Sequence, residues 1–458
     1  MSHDDFTLRR DRRPRRSLHL RARVPPVIPA ALRAPGVPVL GMPPGVADRL
    51  FPSGRAEAVD LVHDPLPPPL RPQAALGVLD MTEFFGETSG GIRTYLLEKA
   101  AYVEARPALR QVLILPGPRD AMTSTDGVRC YRAHGPPVPR QKPYRFLLAA
   151  RATRRIVAHE RPDVIEVGSP ALVPWLAARA ARQDAVPLVY FYHSNFPRVI
   201  SPFPERGGAF RSRLSRLAWR YSRRIDKLFD VTIATSQFSA DELRAAGIDR
   251  VAHVPLGVDL ALFHPGRRDA REETRRRHGL GVEAPLVGFV GRFAREKELD
   301  LLLEAWDTVE RRTDAWLVLI GDGPKRRMLE ARAAGRRIRL LPYQSTRADL
   351  ADLHAALDVY VAPSSVETFG LSSIESLASG TPVLAADRGG VSEQVTRSGA
   401  GRTFQAGESA SLAEELVTLL RDDLGALGTR GRAYVEREHD WRHVFDRLFA
   451  IYHDVRRA

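Results

Sequence analysis

The chain has 458 residues, 44% of them hydrophobic and 27% charged, enough for two or three soluble globular domains with substantial cores. A formal charge of +14 points to an anionic partner (nucleic acid, an acidic membrane surface or a phosphorylated substrate), although arginine-rich usage also follows from genomic base composition. Cys130 is the single cysteine, which excludes an intrachain disulfide and a cysteine zinc site, and no apolar run is long enough to span a bilayer.

Residues 1–74 are rich in proline and arginine with little periodicity. They are expected to form a mostly disordered extension, with short ordered pieces around 37–40 and 45–50. The opening stretch, MSHDDFTLRRDRRPRRSLHLRARVPP, carries arginines with no apolar run behind them and does not read as a secretory signal. Its cluster from Arg9 to Arg23 is read as a solvated tail, with contact to acidic lipid or nucleic acid as the alternative. Regular alternation begins at Ala75. ALGVLDM, QVLILPG, VRCYRAH, DVIEVGS, PLVYFYH and VTIATS suit buried strands, and helical patterns cover Ile92–Glu104, Tyr144–His159, Ala171–Arg182 and Phe210–Leu228. This first domain, 75–257, ends near Pro255-Leu256-Gly257. The second, 258–440, opens with a charged linker, Asp259–Gly279. Its strands are LVGFVG, WLVLIG, IRLLPY, VYVAPS and PVLAA, and its helices Leu299–Arg311, Lys325–Ala334, Arg347–Ala356 and Leu371–Ser379. A last helix, Trp441–Arg457 within 441–458, has room to cross back to the first domain. Alternation of this kind predicts the α/β class: two doubly wound, Rossmann-like domains facing a cleft, where ligands gather at strand C-terminal ends.

The most informative stretch is APSSVETFGLSSIESLA, Ala362–Ala378. A short strand empties into a Pro-Ser-Ser loop, and a helix is predicted to open near Phe369-Gly370 with Glu375 on its second turn. The free N–H groups and positive dipole end of a first helical turn suit a phosphate. Glu367 and Glu375 could then hold a sugar and a ribose on either side of it; acidic residues placed only for the helix dipole are the plainer reading. In MTEFFGETSGGIRTYLLEKA, Gly90-Gly91 stands directly ahead of a helix. It either lets backbone approach a bulky anion or makes a tight turn with glycine at positive φ. The stretch fits neither the Walker loop nor the dinucleotide fingerprint.

His193 closes PLVYFYH at the cleft, where it could donate to a sugar hydroxyl, hold a backbone carbonyl at the reacting carbon, or serve structure alone. In GFVGRFAREKELD, Arg292 follows a strand and Lys297 starts a helix. Cations there oppose the dipole unless an anion is present, and two of them can neutralise a diphosphate leaving group without a metal. GDGP (Gly321–Pro324) and DRGGVSE (Asp387–Glu393) read as glycine turns that connect, with Gly390 close to the cleft. HExxH, GxSxG and Cys/His clusters are missing from the sequence, so metalloprotease, serine hydrolase and zinc readings lack their signatures.

SGGIRTY, Tyr192-His193, VPLGVDLALFHP, Arg292 and Lys297 in GR-x4-K, and APSSVETFGLSSIESLASGTPVLA together resemble glycosyltransferase family 4, the retaining enzymes of the two-Rossmann GT-B architecture. The resemblance runs from about Leu76 to Arg457 and leaves out the N-terminal extension. Its wording is most similar to bacterial phosphatidylinositol mannosyltransferases and related lipid or polysaccharide enzymes. It implies transfer of a hexose, mannose or glucose, from a nucleotide-sugar to a lipid, lipid-linked or polysaccharide acceptor, or to a small soluble one such as an inositol phosphate. It places Arg292 and Lys297 on the donor diphosphate with the N–H groups of Gly370 and Leu371, in a loop that includes Phe369. It further places Glu367 on the sugar hydroxyls, Glu375 on the ribose and His193 beside the anomeric carbon, with Gly90-Gly91 approaching the phosphate from the other domain. The resemblance implies a GDP- or UDP-hexose co-substrate, no other cofactor and no metal. The departing phosphate would help to deprotonate the acceptor on the same face of the sugar. The base is expected to be read around Pro342–Ser345 and Arg292–Arg295.

Arg213, Arg216, Arg220, Arg223 and Lys227 recur at helical spacing opposite a stripe of Phe210, Leu214, Leu217, Tyr221 and Leu228, and Arg145, Arg151, Arg154 and Arg155 add to the charge. This is either an ordinary domain helix with a solvated face or a surface that lies on anionic lipid. The expectation is a cytoplasmic protein resting on the inner membrane face to reach a lipid acceptor. Two competing classes remain: a basic nucleic-acid-binding protein, which lacks a recognisable binding motif, and a catalytically silent binding module. Against the latter stands the joint presence of Glu367, Glu375, Arg292, Lys297 and His193.

Overall fold

The structure, a computed structural model, describes residues 49–51, 57–86, 90–139, 144–200 and 208–457. The basic cluster from Arg9 to Arg23 and the pieces expected at 37–40 and 45–48 lie outside the described residues. Short runs rich in Val, Ile and Leu become buried strands, as expected for sheets covered on both faces. The first sheet holds β1 (Glu57–Ala58), β2 (Leu76–Met81), β3 (Leu109–Gly117), β4 (Ala121–Ser124), β5 (Val128–His134), β6 (Val164–Val167), β7 (Leu188–Tyr192), β8 (Val231–Ala234) and β9 (Val251–His253). Their order is β1-β4-β5-β3-β2-β6-β7-β8-β9, and β4 alone runs antiparallel to its neighbours. The second sheet is wholly parallel: β10 (Leu286–Val290), β11 (Trp316–Ile320), β12 (Ile338–Leu341), β13 (Val359–Ala362), β14 (Val383–Ala386) and β15 (Gly401–Phe404), in the order β12-β11-β10-β13-β14-β15. Helices connect the strands of both, giving two Rossmann-like α/β domains.

The chain passes between the domains at two points that touch. Val258 N donates to His439 O at 2.8 Å, and Val258 forms a parallel bridge with Asp440. A Cβ on Gly257 would stand 2.5 Å from the Trp441 ring, so only glycine lets the strands pass so closely. The helix Trp441–Arg457 then docks on the first domain. Its Tyr452 enters a wholly buried network in which the Lys99 ammonium reaches Asp80 at 2.6 Å and Tyr452 at 2.8 Å, while Tyr95 donates to Glu166 at 2.9 Å and Tyr452 donates to Glu166 as well. Burial is the main cause that holds the Glu166 carboxyl above the usual range; Lys99 works against it.

Four expectations need correction. Residues 57–74 are ordered rather than part of a disordered tail: Leu61 and Leu70 are buried, and Arg71 donates to the carbonyls of Arg106 and Leu109. The helix read over Tyr144–His159 starts only at Ala150, because Val138 N donates to Tyr144 O and Phe146 N to Pro136 O, which holds 144–146 extended. DRGGVSE is not merely a turn; a helix begins at Gly390 and runs to Ser398. Lys297 closes a 3-10 turn, Arg295–Lys297, one residue before the helix Leu299–Arg312.

Candidate active site

Strand ends from both domains converge. After β13, the loop 363–370 leads into the helix Leu371–Ala378, whose start is set by Gly370 at φ +85°. A Cβ there would meet Val391 at 2.3 Å, so glycine is required by both backbone and packing. Glu367 in this loop forms an ion pair with Lys297, which arrives from the loop after β10. Burial by itself lowers the Lys297 pKa, but the Glu367 charge and hydrogen bond outweigh it and the net shift is upward, so the ammonium stays charged. Ser364 and Ser365 tie the two loops together by donating to Glu296 O at 2.6 Å and to Glu298 at 2.7 Å.

Arg292 lies on the same rim. Its guanidinium sits 5.6 Å from the ring of Tyr144, a first-domain residue that also packs edge-on against Phe84 at 5.6 Å. Burial pushes the Tyr144 phenol up, against the pull of Arg292 and Lys297. The Arg292–Lys297 cations thus face an aromatic side chain from across the cleft. The helical pattern around Tyr144 hides it in the sequence; the prolines at 136, 137 and 139 are the signal that the segment is extended.

His193 follows β7 and stacks on Phe191 at 4.3 Å, with Tyr95 edge-on at 5.0 Å. Burial, aided by the Lys99 charge, pulls its pKa down to about 3, so the imidazole is neutral at physiological pH. Gly90-Gly91 opens the helix Gly91–Glu104, and Gly90 has φ −77°, so the positive-φ turn is not what these glycines provide. A Cβ on Gly91 would lie 4.0 Å from Leu371, placing this loop over the start of the second-domain helix. Phe369 is buried and edge-on to His439 at 5.5 Å. Leu371 is half-buried against the core.

Glu375 is more enclosed than a simple rim residue. Only 5% exposed, it lies 3.6 Å from the His354 ring and shares the field of Arg347 with Glu98, which Arg347 contacts at 2.7 Å. Burial, chiefly, pushes both carboxyls up to about 7. The Arg347–Glu98 pair crosses between domains, and spacing in the sequence gave no sign of it. Gly389-Gly390 is also more than a connector. Gly390 N donates to Glu367 O at 2.8 Å, and a Cβ on Gly390 would stand 2.3 Å from Thr368 O. The DRGG stretch therefore supports the backbone of the Glu367 loop. Among the described residues, no group of three or more His, Cys, Asp or Glu side chains could hold a metal ion.

The architecture and this cleft have counterparts. The family model described as Glycosyltransferase Family 4 matches residues 89–262, and that described as Glycosyl transferases group 1 matches 270–436. A GDP-mannose-dependent alpha-(1-6)-phosphatidylinositol dimannoside mannosyltransferase of Mycobacterium tuberculosis is 32% identical over 321 residues, covering 70% of this chain and 81% of that protein. A GDP-mannose-dependent alpha-mannosyltransferase of the same species is 32% identical over 343 residues, 74% of this chain and 86% of the relative. Among solved structures, a sucrose-phosphate synthase from Thermosynechococcus elongatus superposes with a TM-score of 0.67 at 21% identity, over 82% of this chain and 98% of the other. The fold is GT-B. With its facing domains, paired strand-end loops and 32%-identical relatives covered over more than four fifths of their length, the chain belongs to glycosyltransferase family 4 and is a hexosyltransferase that uses a nucleotide-sugar donor.

Proposed function

We propose that this enzyme transfers mannose from GDP-mannose, with retention of anomeric configuration and without a metal, to a lipid or lipid-linked acceptor. The observation that carries the reading is the Lys297–Glu367 pair at the cleft, with Lys297 and Arg292 both acting on Tyr144. Two cations held at strand ends are suited to a diphosphate whose charge grows as the sugar departs. In this reading Glu367, tethered to Lys297, meets the sugar hydroxyls, and the neutral His193 meets the anomeric carbon. The first-turn N–H groups after Gly370 complete the phosphate cradle, with Gly90-Gly91 above it, and Glu375 lies within reach of a ribose. The 32%-identical relatives whose names specify GDP-mannose support the choice of donor, and one of those names supports a phosphatidylinositol-type acceptor.

Incubation with GDP-mannose, UDP-glucose or ADP-glucose in excess EDTA, with lipid extract or inositol phosphate as acceptor, tests this. GDP release with the lipid fraction is expected, and NMR of the product should show the α-anomer. Lys297→Met should lower kcat/KM by about 100- to 1000-fold, the usual cost of losing one group that stabilises developing charge. Turnover only with UDP-glucose, complete dependence on a divalent metal, or a β-linked product would each sink the corresponding part.

A further inference from the structure

Thr368 bonds the second domain to the first through both its hydroxyl and its backbone carbonyl. It lies next to Glu367 in the second-domain loop and is 7% exposed. Its hydroxyl donates to the backbone carbonyl of His193 at 2.8 Å, across the domain boundary. Its own carbonyl accepts from Ser236 at 2.6 Å, from Thr235 at 3.2 Å and from Ser239 at 3.3 Å, all in the first domain. Ser236 is at the same time the N-cap of the helix Gln237–Ala245, accepting from Ser239 N. The free N–H groups of Gln237 and Phe238 donate in turn to Glu393 of the second domain, at 2.7 and 3.3 Å.

We propose that Thr368 is a positioning residue: its hydroxyl and carbonyl set the register of Glu367 against His193, so that the reacting geometry exists only when the domains are closed. The inference rests on the reading that Glu367 and His193 flank the donor sugar. Every bond that Thr368 and Glu393 make here crosses the cleft, so opening the domains breaks all of them together. Each is individually modest, because water replaces the lost partner in the open state. Their effect on rate is larger, since small displacements of reacting groups are costly. On that reading most of the donor contacts (Arg292, Lys297, Gly370 and Glu375) belong to the second domain, so loss of the clasp should largely spare donor affinity and lower turnover.

The test uses the full chain with Thr368→Val, which keeps shape and removes the donor, and Thr368→Ser, which keeps the donor. Spin labels at Ser124→Cys and Thr418→Cys report the interdomain distance with and without GDP. The valine variant should shift toward longer distances, with kcat reduced about tenfold or more and donor KM within about threefold, and serine should restore both readouts. Wild-type distances and kcat in the valine variant, or a serine variant as impaired as valine, would overturn the proposal. Wild-type kcat in Glu367→Gln would instead overturn the donor-sugar reading and leave the distance result standing.

Discussion

Arg347 serves two carboxylates at once, and that arithmetic governs how the site responds to pH. Glu98 contacts its guanidinium directly, and Glu375 lies in its field with the neutral His354 on the other side. Asp259 adds further negative charge around Glu98. One cation cannot neutralise both buried glutamates, so each is held up to about 7, mainly by burial. The sign follows from linkage. Between the ordinary glutamate value of about 4.3 and about 7, the folded protein binds more protons than the unfolded chain. Their contribution to stability is therefore complete at acid pH and is lost as pH rises through about 7. Melting temperature should fall between pH 5.5 and 8, reflecting a change on the order of 1–3 kcal/mol. In Glu375→Gln, which cannot titrate, the fall should be shallower. An unchanged slope in that variant would show that these groups do not titrate as the geometry requires.

At the level of elements, the loops after the strands make the site, and glycines decide how closely they pack. Gly390 opens its helix directly beneath the Glu367 loop, with Thr368 O where a Cβ would go. Gly390→Ala must push that loop by a large fraction of an ångström. It is expected to cost about 1–3 kcal/mol of stability, as overpacking usually does, and to lower kcat/KM at least as much as Thr368→Val. Wild-type kinetics in this variant would show that the loop tolerates displacement. The periodic parts of this architecture were legible from sequence. The helices Arg347–Ala356 and Trp441–Arg457 have the predicted bounds, and in the second the apolar spacing matches one buried face. Short elements were not legible: β4, β9 and β15 are three or four residues each and take their stability from neighbouring strands rather than from pattern. The motif residues of the site could be read from strand-end position and charge. Tyr144, Glu98 and Arg347 could not, because their roles exist only once the two domains face each other.

The whole molecule presents its cleft beside a surface of unusual character. In the helix Gly208–Asp226 the apolar stripe read from the sequence includes Leu217, but Leu217 is 57% exposed and the inward side is formed by Ser215, Ala218 and Ile225. Leu217 stands among the exposed Arg213, Arg216 and Arg220. One turn on, Tyr221 donates to Ala171 O at 2.7 Å and packs near Phe196, which brings the exposed Leu172 and Val199 to the same region. Leu172 follows β6 and Val199 follows β7, so the patch borders the strand ends that carry His193. If the acceptor is a lipid, as proposed above, exposed apolar side chains within a basic field are features that would let this face rest on anionic lipid. An acceptor embedded in such a surface would then meet the cleft without leaving the bilayer. The triple variant Arg213→Glu, Arg216→Glu, Arg220→Glu should lose more than tenfold in affinity for phosphatidylinositol-containing vesicles, given about 1 kcal/mol per basic residue near an anionic surface. Binding by the wild type should weaken as salt rises. Turnover on a water-soluble acceptor analogue should be retained in the variant, which separates membrane attachment from chemistry. Equal sedimentation with neutral and anionic vesicles would remove the membrane from the account and leave the basic face as solvated surface.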